Sequence, residues 1–361
     1  METVIWIGLS IAIFAGVLTL TNKNINVSDR LLAAWLFLLA IDYGNIGITY
    51  LYFDFAVIPS SFFLFNPAFY LYSKSLTNKK FRLKWRQLLH LIPYVFFDLS
   101  NHFFSLAFRI DNFFTYDSML WIRLLFAISF IISLITYSTL SIVAVHKHRI
   151  FLKNEFSNID ENQKLSWLLF IVISYSVYII TATALGVFGF FNNSFEIVSI
   201  YNYVATLILT FVLGFYGIRQ DEIFTTEKQI PREKYQQSNL NSEKKEKIKE
   251  ILLEYFKTHK PYFNSELSMQ TLTEELKIPK HQLTEVLNTV IGKNFFQFVN
   301  EFRVEATKQK LADPNNDKFS LEAIGYDCGF SSKSSFFSVF KNISGQTPMQ
   351  FKNSISLQNP K

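Results

Sequence analysis

For its first 218 residues the chain alternates long apolar runs with short polar breaks. Beyond residue 240 the apolar positions recur instead at the three- and four-residue spacing of amphipathic helices. Seven of the runs are long enough to cross a bilayer, which takes about 20 residues of helix. They cover 3–21, 31–52, 55–76, 88–108, 119–145, 166–190 and 197–218. The first has neither a basic start nor a small-residue cleavage site, so it is expected to be a retained span and not a signal peptide. Only Phe53-Asp54 and a residue or two separate the second and third runs. That predicts a tight helical hairpin, with Pro59 and Pro67 kinking its second arm.

From 219 to 242 the sequence turns polar and reads as a linker. Amphipathic spacing resumes with Ile248, Ile251, Leu252, Tyr255 and Phe256 on one predicted face. A first helical pair, 268–276 and 280–290, draws its core from Leu272, Leu276, Ile278, Leu283 and Leu287, with Pro279 placed to start the second helix. His281, Thr284, Glu285 and Asn288 form the predicted exposed face of that helix. A long helix over 295–311 turns Phe298, Phe302 and Ala306 inward. In a second pair, the Gly329-Phe330 turn leads into a helix over 332–341. Phe336, Val339 and Phe340 share one of its faces; Ser334, Phe337, Ser338 and Lys341 share the other. A small polar and basic face angled by a glycine turn suits a major groove about 12 Å wide. The predicted architecture is all-α: a seven-helix transmembrane bundle at 1–218, the linker at 219–242, a domain of two helix-turn-helix units at 243–353 and a tail at 354–361.

The run Ile324…Gly329-Phe330-Ser331-Ser332-Lys333-Ser334-Ser335-Phe336…Phe340-Lys341…Gly345…Thr347-Pro348…Phe351-Lys352 resembles the signature of the AraC/XylS family of bacterial transcription regulators. Upstream, Leu272…Leu276-Lys277-Ile278-Pro279…Leu283…Gly292…Phe295…Phe298-Val299…Arg303…Ala306…Leu311 is similar to the first half of that family's domain. The resemblance implies two recognition helices entering adjacent major grooves on one side of double-stranded DNA. It implies base contacts from His281, Thr284, Glu285 and Asn288, and from Lys333, Ser334, Ser335, Phe337 and Ser338. Lys333 suits guanine O6/N7 and Phe337 a thymine methyl. Lys280, Lys293 and Lys341 are the phosphate candidates, which position without specifying. Glu285 and Ser338 stand where many relatives carry Arg, and Gly325 where Ala is usual. Residues 241–361 hold 17 Lys and Arg against 14 Asp and Glu, a net +3. So weak an excess predicts modest monomer affinity and makes a homodimer an expected partner.

Charge also orients the apolar half. Basic residues follow the first, third and fifth runs: Lys23 and Arg30; Lys74, Lys79, Lys80, Arg82, Lys84 and Arg86; Lys147, Arg149, Lys153 and Lys164. Among the alternate segments Arg109 is the exception. Because basic loops favour the cytoplasm, the N-terminus is expected outside and the C-terminal domain in the cytoplasm, in a bacterial inner membrane crossed an odd number of times. The run 79–86 is accounted for by this topology.

Asp42, Asp98 and Arg123 fall inside predicted spans, where a central charge costs about 2.5–3.5 kcal/mol on insertion scales. Asn45, Asn66, Asn101, His102 and Asn202 are candidates to join them in a polar interior. Two readings stand: a pocket or switch answering a small ligand or membrane signal, or interhelical hydrogen bonding. His90 and His102 have no third ligand at helical spacing, and His146 and His148 lie in a loop, so no metal or other cofactor is expected. No Walker loop, GxSxG elbow, HExxH or dinucleotide fingerprint occurs, and Cys328 is the single cysteine. The function expected is that of a membrane-anchored one-component transcription regulator and not of an enzyme. The other reading is a seven-span receptor or transporter whose C-terminal domain binds a protein partner.

Overall fold

Among the described residues the apolar runs are helical. The computed structural model describes residues 2–21, 25–52, 61–78, 81–103, 113, 115–159, 163–192, 195–218 and 240–358, and these carry fourteen α-helices. They divide into two units, Met1–His146 with Leu165–Thr225, and Lys147–Lys164 with Thr226–Lys361.

The first unit contains α1 (Glu2–Leu20), α2 (Val27–Tyr52), α3 (Phe62–Thr77), α4 (Ile92–Phe103), most of α5 (Leu120–Glu155), α6 (Ser166–Asn192) and α7 (Phe195–Ile218). Seven spans are not what the helices support. Among the described residues four are long and apolar enough to cross a membrane: Glu2–Leu20, Val27–Ile48, Leu120–Glu155 and Ser166–Gly189. Among the described residues the third run is α-helical over Phe62–Thr77, 16 residues, roughly 24 Å at 1.5 Å per residue. The fourth opens with a 3₁₀ stretch, Trp85–Leu91, and its described α-helix is the 12 residues Ile92–Phe103, about 18 Å. Neither described helix by itself matches a hydrocarbon layer of about 30 Å. α7 is 24 residues long, and Ile200–Tyr216 is the apolar stretch found among its described residues. The expected hairpin turn at 53–60 lies outside the described residues.

Trp35, Phe69, Tyr72 and Trp167 pack together at the centre of this unit, and Phe63, Phe97, Phe113 and Phe126 form a second aromatic cluster. The intramembrane polar candidates do not share one site. Asp42 is buried and accepts from the Ser61 hydroxyl. Arg123 is buried against Asp117 Oδ1 at 2.7 Å and the Thr115 carbonyl at 2.6 Å. Asp98 is exposed on α4, and Asn45 is exposed on α2. Asn66 donates to Ser133 Oγ and accepts from Tyr175, while Asn202 accepts from Tyr178, so both tie helices together. The side chains of Asn101 and His102 lie outside the described residues. Among the described residues no group of three or more His, Cys, Asp or Glu is placed to hold a metal.

The second unit contains the last turns of α5 and then α8 (Ser242–His259), α9 (Met269–Leu276), α10 (Lys280–Val286), α11 (Phe295–Ala312), α12 (Leu321–Asp327), α13 (Lys333–Ser344) and α14 (Pro348–Gln358). Its helix starts are written into the sequence. Asn241, Ser268, Asn294, Ser320 and Ser332 each accept a hydrogen bond from an amide of the first turn of α8, α9, α11, α12 and α13. Such caps contribute about 1 kcal/mol apiece. Gly345 closes α13 in the left-handed region. One core runs through the unit, from Leu252 and Phe256 through Leu283, Leu287, Phe298 and Val299 to Phe330, Phe336 and Phe340. The predicted linker lies, through residue 239, outside the described residues.

Candidate nucleic-acid interface

Two short helices, α10 and α13, follow turns and flank the long α11. The turn before α13 depends on Gly329. Its φ is +90°, and a Cβ there would sit 2.2 Å from the Tyr262 carbonyl oxygen. Only glycine tolerates both conditions. Gly325, on α12, lets Phe336 approach: a Cβ would lie 2.7 Å from the ring's Cγ. The chain has glycine where the family resemblance leads one to expect alanine, and the ring fills the space.

On α13 the side facing the core buries Phe336, Val339 and Phe340. Lys333, Ser334, Ser338 and Lys341 are exposed, while Ser335 and Phe337 are half-buried. Phe337 packs partly onto the core instead of standing free. Lys333 Nζ lies 2.6 Å from Glu322 Oε1 and 5.9 Å from the Phe337 ring centroid. The hydrogen bond from Lys333 holds the Glu322 carboxyl below its ordinary range, and Glu322 in turn raises the Lys333 ammonium. Lys333 therefore stays cationic, on a long side chain tethered at the surface.

The face of α10 departs from expectation. Asn288 is exposed, His281 and Glu285 are half-buried, and Thr284 is buried. The helix is α-helical only to Val286 and continues as a π turn over Leu287–Ile291, which re-aims Asn288. Lys245, on α8, reaches Glu285 at 2.7 Å, so this side of α10 is covered and the acidic charge of Glu285 is offset. On α8 itself, Ile248, Leu252 and Phe256 are buried while Ile251 is about half exposed.

Of the three phosphate candidates, Lys341 is exposed. Lys293 is paired with Glu301. Lys280, at the start of α10, is held 2.6 Å from Glu155 Oε1 at the end of α5. Sequence patterning gave no sign of that partner. The adjoining residues dock as well: Ser157 and Asn158 bond to groups around Arg303, a fully buried guanidinium at the centre of the unit. Burial lowers Arg303 to about 9, so it remains charged at neutral pH. Its Nε donates to the Tyr262 carbonyl and its Nη2 to the Asn264 carbonyl, at 2.8 and 2.9 Å.

Residues 272–354 match the helix-turn-helix domain family. An uncharacterized HTH-type transcriptional regulator of Staphylococcus aureus strain COL is 29% identical over 116 residues, which make up 32% of this chain and 14% of that protein. Another from Staphylococcus aureus is 30% identical over the same length. The chain thus spans about a seventh of the length of these curated relatives. A solved structure from Listeria innocua, of a protein of unknown function, aligns at a TM-score of 0.27 with 24% identity, over 30% of this chain and 96% of that one. The chain carries an HTH-type transcriptional-regulator domain, together with a segment of several long apolar helices consistent with membrane association.

Proposed function

We propose that this protein is a membrane-embedded transcription regulator of the AraC/XylS type, reading double-stranded DNA through two helix-turn-helix units. The observation that carries the reading is α13. It is capped at Ser332, pinned by a buried phenylalanine face, and presents Lys333, Ser334, Ser338 and Lys341 to solvent within the region matched by the helix-turn-helix family. α10 repeats the arrangement before α11, with His281, Glu285 and Asn288 as its reading groups; the burial of Thr284 removes it from that set. Lys341 and Lys293 serve as phosphate contacts.

The basic residues Lys147, Arg149, Lys153 and Lys164 support placement of 147–164, and of the reader that shares its unit, on the cytoplasmic side. A ligand or membrane signal would act on the buried polar groups of the bundle, Asp42 and Asn66 among them. The small net charge of the reader favours action as a homodimer.

The test is selection of bound sequences from a random duplex pool by the full chain in detergent micelles, followed by footprinting. The expected product is a motif with two half-sites about one helical turn apart, near 10 bp. A pool with no enriched sequence, or binding that depends on salt alone with no base preference, would refute the reading.

A further inference from the structure

Residues 155–159, at the end of α5 and just beyond it, touch several separate parts of the reader. Glu155 pairs with Lys280 at the start of α10. Phe156 makes an isolated antiparallel bridge with Ser268, the cap of α9. The Ser157 amide and hydroxyl both donate to the Leu267 carbonyl, at 3.3 and 2.6 Å. Its own carbonyl accepts from Asn300 Nδ2 and Arg303 Nη1, each at 2.9 Å, and its hydroxyl accepts from Arg303 Nη2 at 2.9 Å. Asn158 Nδ2 donates to the Ser265 carbonyl at 2.7 Å and the Gly329 carbonyl at 3.0 Å. One extended segment therefore bridges α10, α11 and the turn before α13.

The receptor for it is built. Asn300 and Arg303 are fully buried, as is Ser157. Arg303 has five N–H donors in a fixed fork, and Ser157 takes two of its bonds. The anchoring is polar and backbone-directed, so it holds the segment in one register. What it brings with it is charge: the Glu155 side chain, almost wholly buried, neutralises a lysine at the leading end of the first recognition helix. A phosphate approaching Lys280 would have to displace that carboxylate.

We propose that 155–159 is a clamp through which α5 controls the reader. Docked, it occupies Lys280 and weakens DNA binding; released, it frees Lys280 for a phosphate and detaches the reader from α5. The proposal rests on the reading of this unit as a DNA reader. By linkage, DNA must then favour release of the segment by the same factor that release favours DNA.

The test uses the full chain in detergent micelles and a fluorescent random-sequence 30-bp duplex as probe, titrated across salt. Glu155→Gln removes the competing charge and Ser157→Glu blocks docking from a site outside the reader. One added phosphate contact steepens the slope of log K against log salt by about 0.9, which at about 0.1 M salt is roughly eightfold in affinity. Both variants are expected to show that gain. Hydrogen exchange at the amides of 156–159 is expected to be slow in the wild type, fast in Ser157→Glu, and accelerated in the wild type by the duplex. The clamp is overturned if Glu155→Gln binds with wild-type affinity and slope, or if both variants bind more weakly. It is equally overturned if the wild-type amides exchange freely or ignore the duplex. Loss of binding in Ser157→Glu alone, with a lowered melting temperature, would make the segment a structural buttress and also overturn it. Failure of the wild type and both variants to bind at low salt, with the amides protected, would instead refute the DNA-reader reading, and the clamp's regulatory role with it.

Discussion

Replacing Gly329 by alanine tests the geometry on which the turn before α13 depends. A Cβ at this position meets the Tyr262 carbonyl oxygen at 2.2 Å and Arg303 Nε at 3.0 Å, against an ordinary contact near 3.5 Å. The oxygen cannot simply retreat, because it accepts from Arg303 Nε at 2.8 Å. Holding an L-residue in left-handed backbone costs about 1–2 kcal/mol, and giving up a hydrogen bond to a charged group about 1.5–3 kcal/mol. Together these come to roughly 3–5 kcal/mol, a large share of the 5–15 kcal/mol typical of a folded domain. The neighbouring Cys328 supplies the assay. It is the chain's single cysteine and is buried, and burial raises its thiol pKa, so the wild type should react slowly with a thiol reagent. At about 1.4 kcal/mol per factor of ten, Gly329→Ala is expected to accelerate labelling of the full chain by two to four orders of magnitude, roughly. Denatured wild type and variant should label alike. Labelling of the folded variant within tenfold of wild type would refute the steric argument.

Gly325→Ala is expected to cost about 1–3 kcal/mol by overpacking against Phe336, although alanine is the usual residue of the resembled family; an unchanged melting temperature would show that the ring can shift. Lys333→Ala is expected to lose about 1–3 kcal/mol of discrimination at one base position of the selected site, and a loss uniform across sequences would make Lys333 a phosphate contact only. Asp42→Asn is expected to alter reporter expression at normal membrane abundance, because Asp42 is buried and bonded to Ser61, whereas Asp98→Asn on the exposed side of α4 is expected to be silent. Equal effects of the two would sink that distinction.

The helices of the second unit were legible because their signals are local. Ser268, Asn294, Ser320 and Ser332 are capping residues placed just before apolar helical spacing, and Gly329 and Gly345 fall where left-handed backbone is needed. The burial of Phe336, Val339 and Phe340 follows from periodicity alone. Thr284 is buried within the regular part of α10, which a helical wheel misses because it takes no account of neighbouring elements such as α8, from which Lys245 reaches Glu285. The span count failed for a related reason. Apolarity marks avoidance of water, but not helix type or length: the fourth run opens with a 3₁₀ stretch from Trp85, and the described α-helices of the third and fourth runs have 16 and 12 residues. Docking of 155–159 had no signature at all. Its bonds run through backbone carbonyls, a serine and an asparagine, to partners more than 100 positions away.

The docked segment also makes the second unit discontinuous in sequence. Since 147–164 and the reader belong to one unit, any crossing of a membrane by the stretch between them has to be matched by a return to the same face. Among the described residues α6 and α7 are the helices of that stretch. α6 has 27 residues and α7, Phe195–Ile218, has 24, about 40 and 36 Å of helix, each longer than a hydrocarbon layer of about 30 Å. In a bilayer such excess length is taken up by tilt, at a fraction of a kcal/mol per ångström. Bilayer thickness would then act on the tilt of α6 and α7, the helices that join the two chain segments of the second unit.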